Sequence, residues 1–342
     1  MRTFFFVLLC CAQILSSAEA WAARRSAGSG VAAAQKSVSA KPSSVKSKAA
    51  TSVSAQLPSS KSGNASESAK EKAVSGKKRA AAPSRRAETV RAYITMNLTG
   101  KKIVNSKNAD YGIAPASLTK VLSMFVILDQ VKAGKVSLDD KVVVSGKAAG
   151  TGGSSLDLRA GQKVLLRDLL KGMAVVSGND AAVAAAQHVA GTEAAFVRMM
   201  NKKARTLGMK RSVFKNVHGL PAKGQQSTAR DMLALSRAYL AAHPQALTLF
   251  HSQPYMNFHT YYHNTNPLLG TVDGVDGLKT GFVASSGYNL ITTARCGGER
   301  LVSVVLGAPN KEVRMREARR LLLEAYAQVH AGKSAKPSAK RS

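Results

Sequence analysis

The segment Pro115-Ala116-Ser117-Leu118-Thr119-Lys120 carries a serine and a lysine at a spacing that could support nucleophilic catalysis. A serine hydroxyl is a poor nucleophile at neutral pH, so a base must take its proton, and a neutral lysine amine can do this. An apolar series at 121–128 follows directly. If a helix begins near Ser117, then Ser117 and Lys120 share one face while the apolar residues bury the helix. The pattern predicts a nucleophile and its base at the start of a buried helix.

Two later segments give this pair a context that its spacing alone does not. Ser-x-x-Lys also occurs at Ser43 and Ser75, in a low-complexity part of the chain. By contrast, Ser177-Gly178-Asn179 interrupts two helical stretches, and Lys279-Thr280-Gly281 follows a strand-like run. The three elements in this order are the signature of penicillin-recognising serine acyl-transferases.

The ends of the chain differ in composition from its centre. Residues 1–20 combine an apolar run at 4–14 with Ala18-Glu19-Ala20 and predict a secretory signal peptide, so we expect an exported protein, periplasmic or cell-wall-associated. Residues 21–87 are rich in Ala, Ser and Lys and predict a disordered basic linker, and 331–342 predict a basic disordered tail. Residues 88–330 then form one catalytic domain. Because Cys10 and Cys11 would leave with the signal peptide, only Cys296 remains and no internal disulfide is expected.

The formal net charge of +31 at pH 7 raises the question of an anionic partner. We do not expect nucleic acid, because the protein is exported and the linker has no interleaved aromatic residues. Attraction of the linker to an anionic cell wall or membrane surface fits export better. A solvated spacer that happens to be basic is an equally good interpretation.

The hydrophobic pattern predicts an α+β fold in which strands at both ends of the domain form one sheet and helices lie between them. Strands are predicted at 90–96, 103–104, 142–144, 275–282, 288–294 and 301–306, with residues 295–300, including Cys296, as a hairpin loop. Helices are predicted from Ser117 and at 165–176, 181–189, 194–207, 228–242 and 312–329. Thr228 is the expected N-cap of its helix, and Leu321, Leu322, Leu323 and Tyr326 are expected to face inward.

The three motifs, together with 175–181, 216–220 and 275–281, closely resemble the serine-type D-Ala-D-Ala carboxypeptidases, the low-molecular-mass penicillin-binding proteins. The resemblance covers about 89–327. It implies a β-lactamase/transpeptidase-like fold, an antiparallel sheet flanked by helices with an inserted all-helical subdomain. It also implies that peptidoglycan stem peptides are the substrate, that β-lactams are covalent inhibitors, and that neither a cofactor nor a metal is needed.

The resemblance assigns catalytic roles to residues of the first two motifs. Ser117 attacks the carbonyl of the D-Ala-D-Ala bond to form an acyl-enzyme, and Lys120 takes its proton. Desolvation and the charge of Lys279 would keep Lys120 neutral. Ser177 relays a proton to the leaving amine, and Asn179 orients Lys120 or the substrate amide.

The resemblance places substrate binding on the third motif. Lys279 and Thr280 hold the terminal carboxylate, Gly281 lets the substrate backbone approach, and the backbone N–H groups of Ser117 and Phe282 match the oxyanion hole. Many relatives carry histidine where this chain has Phe282. Arg314 lies where the family has an arginine that binds the carboxylate, although a surface arginine at the start of the last helix is an equal interpretation.

The expected activity is that of a D,D-carboxypeptidase, which trims the cell wall by removing the terminal D-Ala of stem pentapeptides. A D,D-endopeptidase that cleaves cross-links, or a penicillin-binding wall protein that turns over poorly, remains an alternative. A β-lactamase is disfavoured because no Glu-x-x-x-Asn segment lies between Ser177 and Lys279. The resemblance does not extend to a C-terminal β-rich domain or an anchor helix, so membrane attachment is not inferred. The pair His259 and His263 lacks a zinc pattern, and His218 is interpreted as structural.

Overall fold

The structure of the protein is a computed structural model that describes residues 89–334, with side chains to residue 331. The predicted signal peptide, the basic linker and residues 335–342 of the predicted tail lie outside the described residues. No helix within 89–334 is long and apolar enough to cross a membrane.

Five of the strands form one antiparallel sheet in the order β2-β1-β9-β8-β7, so that the two ends of the domain meet in it. The strands are β1 (Ala92–Asn97), β2 (Lys102–Lys107), β3 (Lys141–Val143), β4 (Lys163–Leu165), β5 (Tyr255–Asn257), β6 (Tyr261–His263), β7 (Val275–Val283), β8 (Gly287–Cys296) and β9 (Glu299–Ala308). The remaining strands pair as β3 with β4 and β5 with β6. Strand β7 lies at one edge of the large sheet.

The helices fill the chain between β2 and β7 and close the domain after β9. They are α1 (Thr119–Lys132), α2 (Gly146–Ala149), α3 (Leu166–Val175), α4 (Asn179–Ala190), α5 (Glu193–Thr206), α6 (Ala229–Ala242) and α7 (Lys311–Ser334). Thr228 caps α6 as predicted, because its side chain accepts a hydrogen bond from Asp231 N. The predicted α+β arrangement, with helices inserted between strand-bearing ends, is confirmed.

Helix α1 is the centre of the main core. Its residues from Thr119 to Leu128 are all buried, whichever way they face, as expected for a helix enclosed by other elements. Strand β9 is buried from Leu301 to Ala308 because it lies inside the sheet, with helices on both faces. The site residues at the start of α1 therefore stand on one of the most tightly enclosed elements of the fold.

Three local predictions need correction. The α-helix begins at Thr119, after a 3-10 turn at Ala116–Leu118, rather than at Ser117. The predicted hairpin loop at 295–300 is almost entirely strand, since Arg295 pairs with Arg300 and Cys296 with Glu299, which leaves only Gly297 and Gly298 as the turn. Cys296 is therefore a buried strand residue.

The last helix also differs in its inward face and its length. Leu323 is 48% exposed, whereas Leu321, Leu322 and Ala325 are buried. Successive helical residues turn by about 100°, so a third consecutive leucine falls outside the buried face. Helix α7 continues to Ser334, past the predicted domain boundary at residue 330.

Candidate active site

Ser117 and Lys120 meet at the junction between the 3-10 turn and α1. Ser117 lies in the turn and Lys120 in the first turn of the helix, and Lys120 Nζ lies 3.0 Å from Ser117 Oγ. Lys120 is completely buried, whereas Ser117 is half-buried and borders a cleft. The hydroxyl is therefore accessible from one side and within hydrogen-bonding distance of an amine on the other.

The surroundings of Lys120 favour its neutral form. Burial lowers the pKa of Lys120 well below its usual value, the positive charge of Lys279 lowers it further, and the negative charge of Asp180 opposes both. Its Nζ donates to Asn179 Oδ1 at 2.6 Å and to the His218 carbonyl oxygen at 2.8 Å. Both oxygens are acceptors only, so a neutral Lys120 amine donates its two N–H groups to them. Its lone pair is then available to accept a hydrogen bond from the Ser117 hydroxyl.

Ser177 lies in the short break between α3 and α4, and Asn179 is the first residue of α4. Asn179 Nδ2 donates to the Gly152 carbonyl oxygen at 2.7 Å, which fixes the amide with its oxygen toward Lys120. Ser177 has φ of 70°, in the left-handed region that non-glycine residues seldom occupy. Its buried Oγ has no hydrogen-bond partner among the described residues. The strained backbone of Ser177 therefore positions its hydroxyl, without a hydrogen-bond partner among the described residues, in the same cleft as Ser117.

Asp180, which the sequence analysis did not select, connects the start of α4 to the loop at 150–158. It is buried, and its Oδ2 accepts from Ser155 Oγ at 2.6 Å and from Leu156 N at 2.9 Å and Leu158 N at 3.2 Å. Its Oδ1 accepts from Ala181 N at 2.8 Å. A carboxylate offers only acceptors, which suits a pocket lined with donors. Its position directly after Asn179 at a helix start was the signal available in the sequence.

Asp180→Asn is expected to lower the free energy of unfolding by roughly 2 kcal/mol, because the amide NH₂ would face donors in either orientation. Urea unfolding measures the effect. Asp273→Asn makes the same chemical change at an exposed position and should alter the free energy by less than about 0.5 kcal/mol. Equal losses in the two variants would contradict a specific role for the buried carboxylate.

Lys279 and Thr280 approach the cleft from strand β7. Lys279 is 1% exposed, and its Nζ donates to the Thr280 carbonyl oxygen at 3.1 Å. Burial, and then the charge of Arg314, lower the pKa of Lys279 to about 7. Thr280 Oγ1 lies 2.7 Å from the hydroxyl of Thr265, a residue that sequence analysis missed because it belongs to no motif.

Two glycines allow backbones to approach Ser117 closely. A Cβ on Gly281 would lie 3.0 Å from Ser117 N, which brings β7 directly against the nucleophile. Gly219 has φ of +93°, and a Cβ there would lie 1.8 Å from the Ala116 carbonyl oxygen. The 216–220 segment therefore packs against the turn before Ser117 and supplies the His218 carbonyl that holds Lys120.

Arg314 is 7% exposed, so the interpretation of it as a surface arginine is wrong. Its guanidinium carbon lies 5.9 Å from the centre of the Tyr288 ring, and that ring lies 4.3 Å from the Phe282 ring, its cross-strand neighbour. Arg314 forms no ion pair among the described residues, and its buried Nε has no hydrogen-bond partner there. Phe282 itself is 53% exposed and forms part of the cleft wall.

These parts surround a cleft of about 520 Å³. Its lining brings together residues that are far apart in the sequence, among them Ser117, Ser177, Thr265, Thr280, Tyr288 and Arg314. Lys120, Asn179 and Lys279 lie directly behind this lining. The other histidines considered are elsewhere or structural: His259 Nε2 lies 2.8 Å from Gln162 Nε2, and His218 Nδ1 accepts from Leu220 N at 3.1 Å.

Comparison with known proteins identifies the family of this chain. The family model described as D-alanyl-D-alanine carboxypeptidase matches residues 77–310. The D-alanyl-D-alanine carboxypeptidase DacC of Escherichia coli (strain K12) is 40% identical over 239 residues, which are 68% of this chain and 60% of that protein. This chain therefore matches less than two thirds of that relative's length.

A second relative carries a different name. The D-alanyl-D-alanine endopeptidase of Pseudomonas aeruginosa is 31% identical over 240 residues, covering 67% of this chain and 74% of that protein. Among solved structures, penicillin binding protein 5 from Haemophilus influenzae superposes with a TM-score of 0.68 at 34% identity, covering 70% of this chain and 71% of the other. The predicted fold of penicillin-binding proteins is confirmed.

Proposed function

This chain belongs to the family of D-alanyl-D-alanine carboxypeptidases, and we propose that it is a serine D,D-carboxypeptidase. The reaction is removal of the terminal D-Ala from peptidoglycan stem pentapeptides through an acyl-enzyme on Ser117. The observation that carries the proposal is the Lys120 amine, which lies 3.0 Å from Ser117 Oγ in a site that favours the uncharged form. The cell wall is accordingly the proposed place of action.

Acylation begins when Ser117 Oγ bonds to the carbonyl carbon of the D-Ala-D-Ala peptide and its proton passes to Lys120 Nζ. The developing oxyanion accepts hydrogen bonds from the backbone N–H groups of Ser117 and Phe282, which the close approach of Gly281 to Ser117 brings near each other. The C–N bond then breaks, and the leaving amine takes the proton from Lys120 through the Ser177 hydroxyl, which has no hydrogen-bond partner among the described residues. In deacylation a water oxygen bonds to the ester carbonyl carbon while one water proton passes to the neutral Lys120 amine. The C–O bond to Ser117 then breaks, and Lys120 returns the proton to Ser117 Oγ, which releases the shortened peptide as its acid.

Recognition of the terminal carboxylate falls to Lys279, Thr280 and Arg314. The two cations are buried, and Arg314 has no ion pair among the described residues, so an incoming carboxylate supplies the missing counter-charge. Removal of that carboxylate from water is offset by charge-assisted hydrogen bonds. This arrangement favours a substrate with a free C-terminus over an internal peptide bond.

Two further proposals follow from the same site. Penicillins and other β-lactams are expected to acylate Ser117, consistent with the similarity to penicillin binding protein 5. A D,D-endopeptidase is the second candidate, favoured by the similarity to the endopeptidase-named relative. It would use the same residues on a cross-linked peptide.

The deciding experiment treats the purified protein with a fluorescent penicillin and maps the adduct by mass spectrometry. An adduct on Ser117 is expected, and its absence or a different position would refute the proposed nucleophile. Release of D-Ala from a soluble pentapeptide is expected in parallel. Cleavage of purified cross-linked muropeptide dimers without D-Ala release would replace the carboxypeptidase with the endopeptidase.

A further inference from the structure

A second cavity adjoins the catalytic cleft. Its volume is about 710 Å³, and Phe282 forms a wall of both spaces. Arg91 lines the cavity just before β1, and Lys107 lines it at the end of β2. Tyr111 contributes from the loop after β2, and Ala284 from the β7–β8 turn. A ligand that extends past Phe282 from the cleft would therefore enter this cavity.

The cavity is positively charged. Its described lining contains Arg91 and Lys107 and no acidic side chain. Arg91 Nη1 donates to the Ser285 carbonyl oxygen at 3.2 Å, and Lys107 Nζ donates to the Val90 carbonyl oxygen at 3.5 Å. Neither cation forms an ion pair within the described part of the chain. Both charges are thus available to an anionic ligand.

The order of groups along β7 gives the direction in which a substrate would run. The carboxylate anchor is at Lys279 and Thr280, the nucleophile contacts the strand at Gly281, and Phe282 follows. β7 is an edge strand, which can accept an extended peptide alongside it. A peptide held by its C-terminal carboxylate at 279–280 therefore continues, upstream of the bond to be cut, toward residue 284.

We propose that this cavity is a subsite for the acyl-donor peptide, which Arg91 and Lys107 make selective for a carboxylate about three residues upstream of the scissile bond. The inference rests on the proposed function, because it takes its direction from the carboxylate anchor. An extended peptide advances about 3.3 Å per residue, so residues beyond the immediate acyl group are the ones that reach past Phe282. A neutral upstream residue would leave both cations without a partner.

The test compares two peptides that differ only in charge, acetyl-Glu-Lys(acetyl)-D-Ala-D-Ala and acetyl-Gln-Lys(acetyl)-D-Ala-D-Ala, with the full chain as enzyme. The wild type should hydrolyse the Glu peptide with a kcat/KM about fivefold higher, mainly through KM, and added salt should reduce the preference. Lys107→Ala and Arg91→Ala should each reduce it, whereas Lys107→Arg should retain it. Lys102→Ala, an exposed lysine at the opposite end of β2, is the matched control and should leave it unchanged.

The outcomes separate the subsite from the proposed function. Equal hydrolysis of both peptides by the wild type, or an unchanged preference in Lys107→Ala, would overturn the subsite while leaving the carboxypeptidase in place. Failure to hydrolyse either peptide, with no penicillin adduct on Ser117, would overturn both. Lys107 is exposed on a strand end, so its variant keeps the test valid even if Arg91→Ala, whose side chain packs over Gly307, does not fold.

Discussion

Replacing Lys120 with arginine is expected to slow acylation of Ser117 by about a thousandfold, the scale of a lost general base. Arginine keeps a long basic side chain but does not deprotonate in proteins, so it stays charged and cannot accept the Ser117 proton. Lys120→Met has a side chain of similar length without any basic group and should be equally slow. The rate of labelled-penicillin acylation under single-turnover conditions measures both variants.

The control is Lys132→Arg, the same change at the exposed end of α1, which should leave the rate unaltered. Folded Lys120 variants that acylate within about tenfold of the wild type would show that another group removes the Ser117 proton. A folded state is verified by the thermal transition, because Lys120 is buried and its replacement perturbs the core.

The same assignment predicts the direction of the pH dependence. The amine is neutral above its pKa, so acylation should accelerate as pH rises through the lowered pKa of Lys120. Lys279 is charged below its pKa of about 7, so affinity for a substrate carboxylate should fall as pH rises through that value. The kcat/KM profile of the free enzyme should therefore decline above about pH 7, and a substrate without the carboxylate should lack this decline.

The second large effect is expected at Arg314. Arg314→Gln should lower kcat/KM for a peptide ending in D-Ala-D-Ala by about a hundredfold, because a buried charge-assisted contact to the carboxylate is lost. The loss should appear largely in KM. The pKa of Lys279 should also rise, since the nearby guanidinium charge helps to lower it.

The specificity of this effect is tested with a peptide whose C-terminal carboxylate is converted to an amide. The wild type should discriminate strongly against the amide, and Arg314→Gln should discriminate much less. Arg316→Gln, an exposed arginine one half-turn further along α7, is the matched control. Undiminished discrimination in Arg314→Gln would assign the carboxylate to Lys279 and Thr280 alone.

Much of the fold could be predicted because the elements have strong local patterns. The apolar run after Lys120 identified the buried helix, and the strand-rich ends identified the sheet. Predictions failed where local pattern and tertiary packing differ. The β8–β9 hairpin extends through polar residues because cross-strand pairing continues to Cys296 and Glu299, and Leu323 is exposed because neighbours on only one side of α7 bury it.

The residues of the candidate site also fall into those that the sequence could predict and those that only tertiary packing decided. Ser117, Lys120, Ser177, Asn179 and Lys279 belong to short motifs, and the sequence alone was sufficient to select them and the acyl-transfer chemistry they suggest. Tertiary structure decided the parts without such a motif: the His218 carbonyl that binds Lys120, the Asp180 carboxylate behind Ser177, and Thr265 beside Thr280. It also decided that Arg314 is buried against Tyr288. The physical reason is that a motif specifies side-chain chemistry, whereas burial and charge, which set the protonation of Lys120 and Lys279, arise only when distant segments pack together.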